Sequence, residues 1–88
     1  MYTRHAQVRC QQRGIPPEAV EAILAYGNAR RHDGADVYYL DKRARCRAEA
    51  ALGRPRYRRI EKALDSYLVL GDDGSLITAA HRLRRLKF

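Results

Sequence analysis

Two glycine-containing turns, each set between runs of β-forming residues, constrain this chain more than any other feature of its sequence. Asp33-Gly34 lies inside "NARRHDGADVYYLD", and the pair readily supplies the positive φ of a tight hairpin turn. Near the end of the chain, "SYLVLG", "DDG" and "SLITAAHR" repeat the arrangement, with two apolar runs flanking an Asp/Gly turn. Antiparallel pairing is therefore expected. Alternation along "DVYYLD" puts Val37 and Tyr39 on one face and Tyr38 and Leu40 on the other. In the last strand the same rule groups Ser75, Ile77, Ala79 and His81 against Leu76, Thr78, Ala80 and Arg82. The basic tail "LRRLKF" is expected to fray or to extend that strand.

The remaining segments are helical in pattern. Thr3 suits the N-cap of a first helix that ends at Gly14, where "RGIPPE" stops it: glycine fits the position after a helix, and prolines cannot continue the ladder. A second helix starts at Pro17, carries Glu18 and Glu21 toward its positive end, and offers Val20, Ile23 and Leu24 as an apolar stripe before Gly27. "DKRARCRAEAAL", from about Asp41 to Leu52, is rich in helix formers, with Ala44, Ala48, Ala51 and Leu52 available to pack. "RPRYRRIEKAL" places Tyr57, Ile60 and Leu64 at helical spacing, although an extended conformation competes there. Helices first and most strands last point to an α+β fold: an N-terminal helical hairpin packed on a small antiparallel sheet, with an extra helical segment before the final hairpin. At 88 residues the chain, 1–88, is expected to form one domain with a single modest core.

Charge narrows the partners. Eighteen Lys and Arg against ten Asp and Glu leave a net charge of +8, and arginine forks match phosphate geometry. RNA is the first expected partner, and an acidic protein such as an antitoxin would use the same surface. A basic balance can also serve solubility alone. Cys10 and Cys46 have neither paired spacing nor a His/Cys cluster around them, so no metal site, no cofactor and no disulfide are expected. No apolar run reaches membrane-spanning length and "MYTRHAQ" lacks the apolar core of an export signal, so the expected setting is cytoplasmic, with no membrane partner.

The first helix raises the question of a site. With about 100° per residue and His5 as the origin, Arg9 and Arg13 fall on the same side of the wheel, with Val8 on one flank and Ala6 and Cys10 on the other. If those flanks define the inner stripe, its middle is cationic. A guanidinium cannot shed its proton, so Arg9 and Arg13 must pair with carboxylates, for which Glu18, Glu21, Asp36 and Asp41 are available, or line a wet cleft. In the last strand Thr78 and Arg82 form a coherent pair on one face, while His81 points to the other.

Metal-free RNA cleavage needs a base for the 2′-hydroxyl, a cation for the phosphorane and an acid for the leaving oxygen. His5 or His81, Arg9 or Arg82, and Tyr38 are the candidates in kind, all of them residue types common in any basic protein. Arg13, Lys42, Arg43, Arg45, Arg54, Arg58 and Thr78 are candidates for holding nucleic acid, with Tyr57 interleaved to stack a base. A plainly solvated helix face accounts equally well for about half of the arginines between Lys42 and Arg59, since single surface charges seldom need a partner.

The order of these motifs, "HAQVRCQQRGI" at the start, then "VYYL", then "YLVLGDDGSLITAAHR", resembles that of a family of small bacterial proteins of uncharacterised function whose fold is similar to the RelE/ParE-type toxins. The resemblance runs over nearly the whole chain. It implies a RelE/ParE-like domain and a toxin-like, metal-independent endoribonuclease, and it marks His5, Arg9, Arg13, Gly14, Tyr38, Thr78 and Arg82, with His81 fitting less well. ParE-type members act on gyrase instead, so likeness of fold does not by itself decide activity. Lys42 to Leu64 departs from a minimal toxin in being longer and more helical. A noncatalytic basic module for nucleic acid or an acidic partner is the alternative.

Overall fold

A computed structural model of the chain describes residues 2–81. Its elements are α1 (Arg4–Arg13), α2 (Pro17–Tyr26), β1 (Asn28–His32), β2 (Ala35–Tyr39), α3 (Lys42–Leu52), α4 (Arg54–Ile60), a 3-10 turn (Glu61–Asp65), β3 (Ser66–Leu70) and β4 (Leu76–His81). The fold is α+β. All strand pairings are antiparallel, in the order β1-β2-β3-β4. The helical segment from α3 through the 3-10 turn separates two hairpins whose inner strands, β2 and β3, pair with each other.

Local chemistry explains the boundaries. Thr3 caps α1, its hydroxyl oxygen accepting from the Ala6 N–H at 3.1 Å. Gly14 ends α1 at φ 65°, a left-handed turn that lets the Ile15 N–H reach back to the Cys10 carbonyl at 2.9 Å. Asp41 caps α3 by accepting from the Ala44 N–H at 2.8 Å, and Arg47 donates to the Tyr26 carbonyl at the end of α2 at 3.2 Å. The first hairpin turns on Asp33 and Gly34, at φ 50° and 78°. Segment 54–65 is helical, with Tyr57, Ile60 and Leu64 buried, so the extended alternative does not hold.

One core joins the helices to one face of the sheet. Ile23, Leu40, Leu64 and Leu68 are its largest fully buried side chains, and Tyr38 and Leu70 pack against it. Register explains which strand residues take part: Tyr38 lies opposite Leu68, and Leu68 opposite Ala79, so these share the inner face. Tyr39 opposite Tyr67, Val37 opposite Val69, and Val69 opposite Thr78 share the outer one. The expected alternation of β2 is therefore observed. That of β4 is modified, because Val69 pairs with Thr78 and Leu70 with Leu76, leaving Ile77 as an extra residue. This bulge carries Leu76 to the same buried side as Ala79 and leaves Ile77 exposed, against the expected grouping. Leu24 and Ala51, expected to pack, are also exposed.

α1 lies along β4 and is pinned to it at both ends. The Thr3 N–H donates to the Leu76 carbonyl at 3.0 Å and its hydroxyl to the Ile77 carbonyl at 3.2 Å. At the other end the His81 ring meets the Arg13 carbonyl. α2 packs instead on α3, the 3-10 turn, β2 and β3. Its exit is crowded: a Cβ on Gly27 would stand 2.4 Å from the Ile23 oxygen and 2.7 Å from that of Tyr39, so only glycine fits there.

Candidate nucleic-acid interface

On α1 the inner line is Ala6 and Cys10, both buried, and not the cationic stripe centred on His5. Arg9 is half-buried on the flank, His5 and Arg13 are exposed, and Val8 is 41% exposed, so it is no rim of the inner face. Small side chains let the helix lie close to β4, which a wheel weighted by Val8 does not reveal. The ion pairs found among the described residues join Arg31 to Asp36 and Asp72, His32 to Asp33, Arg45 to Asp65, and Arg54 to Glu49. None includes His5, Arg9 or Arg13. Pairing with Glu18, Glu21, Asp36 or Asp41 is thus not how these arginines are accommodated.

The strand candidates separate. Tyr38 is half-buried on the inner face, packed against the core. His81 is held at both ring nitrogens: Nε2 contacts the Arg13 carbonyl, and Nδ1 lies 3.2 Å from the hydroxyl of the fully buried Ser66. A carbonyl only accepts, so Nε2 carries the hydrogen and donates it, while Nδ1 shares a hydrogen bond with the Ser66 hydroxyl. His81 therefore braces α1 against β3 and β4; it is neither an exposed strand-end histidine nor a side chain aimed at a substrate. Thr78 stands on the outer face, away from α1, and Arg82 lies outside the described residues. Within those residues His5, Tyr38 and His81 do not converge on one site.

The cations of α3 and α4 behave differently. Lys42, Arg43, Arg47, Arg54, Arg56, Arg58, Arg59 and Lys62 are exposed, and between Lys42 and Lys62 the acidic residues are Glu49 and Glu61. Arg45 is half-buried and bonded to Asp65, which ties α3 to the 3-10 turn, so it is a structural cation first. Glu49 approaches Arg54 only to 4.0 Å. Arg43 and Arg47, like Arg54 and Arg58, are one turn apart on the same helix, a spacing that by itself repels by a few tenths of a kcal/mol per pair; the Asp41 carboxylate at the head of α3 attracts both Arg43 and Arg47 and offsets part of that repulsion. Tyr57 is only 6% exposed and belongs to the core, so it does not stack a base.

An uncharged groove of about 750 Å³ runs beside the α1–α2 junction, lined by Tyr2, Cys10, Ile15 and Pro16 among others. Burial pushes both the Cys10 thiol and the Tyr2 hydroxyl up from their ordinary pKa values, so both stay protonated at neutral pH. Cys46 is exposed, and both thiols are free. Among the described residues no group of His, Cys, Asp and Glu is arranged to hold a metal ion, and no helix is long and apolar enough to cross a membrane.

The outer sheet face is what reasoning from the sequence overlooked. It carries Val37, Tyr39, Tyr67, Val69, Thr78 and Ala80, with Arg30 opposite Val37 at the β1 rim. The alternation of "SYLVL" was the available signal, since it sets Tyr67 and Val69 apart from Ser66, Leu68 and Leu70. Comparison of the chain with models of protein families, with curated proteins and with solved structures finds no match.

Proposed function

We propose that this protein is an RNA-directed basic module of RelE/ParE-like fold that works in the cytoplasm and holds RNA through the cations of α3 and α4. The observation that carries the reading is the set of eight exposed cations between Lys42 and Lys62, a stretch whose own acidic residues are Glu49 and Glu61. Lys42, Arg43, Arg54 and Arg58 contact phosphate, and Arg13, exposed at the end of α1, adds to the positive field. The test is titration of a labelled RNA at low salt. Affinity that falls by orders of magnitude as salt rises supports the reading, and absence of binding at low salt refutes it. Tight, salt-sensitive binding of an acidic protein with no RNA binding would favour the antitoxin-type partner instead.

Cleavage is a second reading, favoured by one observation: exposed His5 and half-buried Arg9 stand one turn apart, and among the described residues no carboxylate is paired to either. In that reading His5 takes the 2′-hydroxyl proton, Arg9 stabilises the phosphorane, and the P–O5′ bond breaks as the leaving 5′-oxygen takes a proton from water. Incubation with mixed RNA and a chelator should then yield 2′,3′-cyclic phosphate ends that disappear in His5→Ala. Intact RNA bound by the wild type leaves the module noncatalytic.

A further inference from the structure

The exposed cations of α3 and α4 differ in what they face. Arg47 donates to the Tyr26 carbonyl, and Arg56 lines a small cleft together with Glu18 and Glu21 of α2, so both stand beside protein groups that attract them. Arg54, Arg58 and Arg59 point elsewhere. At about 100° per residue, all three lie at least about 100° round α4 from Ile60, which with Tyr57 forms its buried side. Glu49, 4.0 Å from Arg54, is the carboxylate paired to these three among the described residues. Lys62 continues the run into the 3-10 turn, and Lys42 and Arg43 stand exposed at the start of α3.

The composition of this surface selects among nucleic acids. From Lys42 to Lys62 the sequence has no Asn, Gln, Ser, Thr or His, and its one aromatic residue, Tyr57, is buried. None of the six tyrosines of the chain is exposed. Single strands are held chiefly by stacking their unpaired bases on aromatic rings and by hydrogen bonds to base edges. Here there is no exposed ring for the first and, apart from the guanidinium forks, no group for the second. An arginine fork can pair with a guanine edge, but in an A-form RNA helix that edge lies in a groove too deep and narrow for side chains to read. Phosphates are what such cations reach. A duplex carries one charge per about 1.7 Å of its axis, against about 3.4 Å along either strand, so the same surface neutralises more phosphates on a duplex.

We infer that the cations of α3 and α4 take base-paired RNA and grip its phosphates without regard to sequence. The inference rests on the RNA-directed reading above and gives it a substrate class. Phosphate contacts fix position and carry no sequence information, so affinity follows the density of charge and not the order of bases.

The experiment uses the full chain at low salt with a labelled short RNA duplex, a second duplex of the same length and scrambled sequence, and a single strand of that length that cannot pair with itself. The two duplexes should bind within about twofold of each other, and the single strand about tenfold more weakly. Arg54→Gln with Arg58→Gln should weaken both duplexes by the same factor, at least about tenfold. Melting curves confirm that the double variant is folded, and the comparison of the three ligands on wild type needs no variant. A single strand bound as tightly as the duplexes, or more tightly, overturns the inference and spares the RNA reading. A preference of more than about tenfold for one duplex sequence does the same, because phosphate contacts cannot supply it. Unchanged duplex binding by the folded double variant moves the contacts off α4 and overturns the inference too. No binding of any of the three RNAs overturns both.

Discussion

His81 shows how a residue type associated with catalysis can be occupied by architecture. Its ring joins the carbonyl at the end of α1 to the buried hydroxyl of Ser66. Removing the ring leaves both without their partner, so His81→Ala should lower stability by about 1–3 kcal/mol. RNA affinity per folded molecule should stay unchanged, and urea denaturation beside a binding titration checks both parts. Gly27 is constrained by space rather than by conformation, at φ −77°. Gly27→Ala should destabilise by about 2–3 kcal/mol as the Ile23 and Tyr39 carbonyls are pushed aside. Asp41 brings pH into the fold, because the Ala44 N–H holds its carboxyl below the ordinary range, with a lesser contribution from Asn28. A carboxyl depressed in the folded state stabilises fully above its unfolded value of about 3.9 and loses that contribution as pH falls through the folded value. The Asp41 cap should therefore weaken in acid below about pH 4, and Asp41→Asn, which still caps, should flatten that limb of the stability curve.

At the scale of elements, the hairpins were legible because their turn residues and alternation agree, and the helices because their caps do. Thr3, Gly14 and Asp41 all act as their positions suggest. Two features were hidden for physical reasons. The bulge at Ile77 depends on pairing with β3, which no pattern within "SLITAAH" records. The inner face of α1 is built from Ala6 and Cys10, whose small size counts for little on a hydrophobicity scale but a great deal in close packing against β4. That assignment makes opposite predictions for neighbouring positions. Ala6→Leu should cost about 1–3 kcal/mol through overpacking, whereas Val8→Lys should change stability by no more than about 0.5 kcal/mol. Thermal denaturation of the two variants checks it. Tyr57 illustrates the same limit, since its place among arginines suggested a stacking ring while its helical spacing with Ile60 put it in the core.

The whole molecule separates its surfaces: helices cover one face of the sheet, the other carries paired tyrosines, and the cations of α3 and α4 stay exposed. Composition foretold the net charge, and the sequence named the arginines, but their division into Arg45 bound to Asp65 and the exposed remainder needed the tertiary fold. The same holds for the outer face, whose tyrosines meet only because β2 and β3 pair across the inserted helical segment. Electrostatic holding of RNA by α3 and α4 has one direct measure, the slope of log affinity against log salt concentration. For wild type this slope should be about −3 to −4, and Arg43→Gln, Arg54→Gln and Arg58→Gln together should reduce its magnitude by about 2 to 3. RNA binding with the same slope in the triple variant and the wild type would contradict the assignment of these arginines as the phosphate contacts.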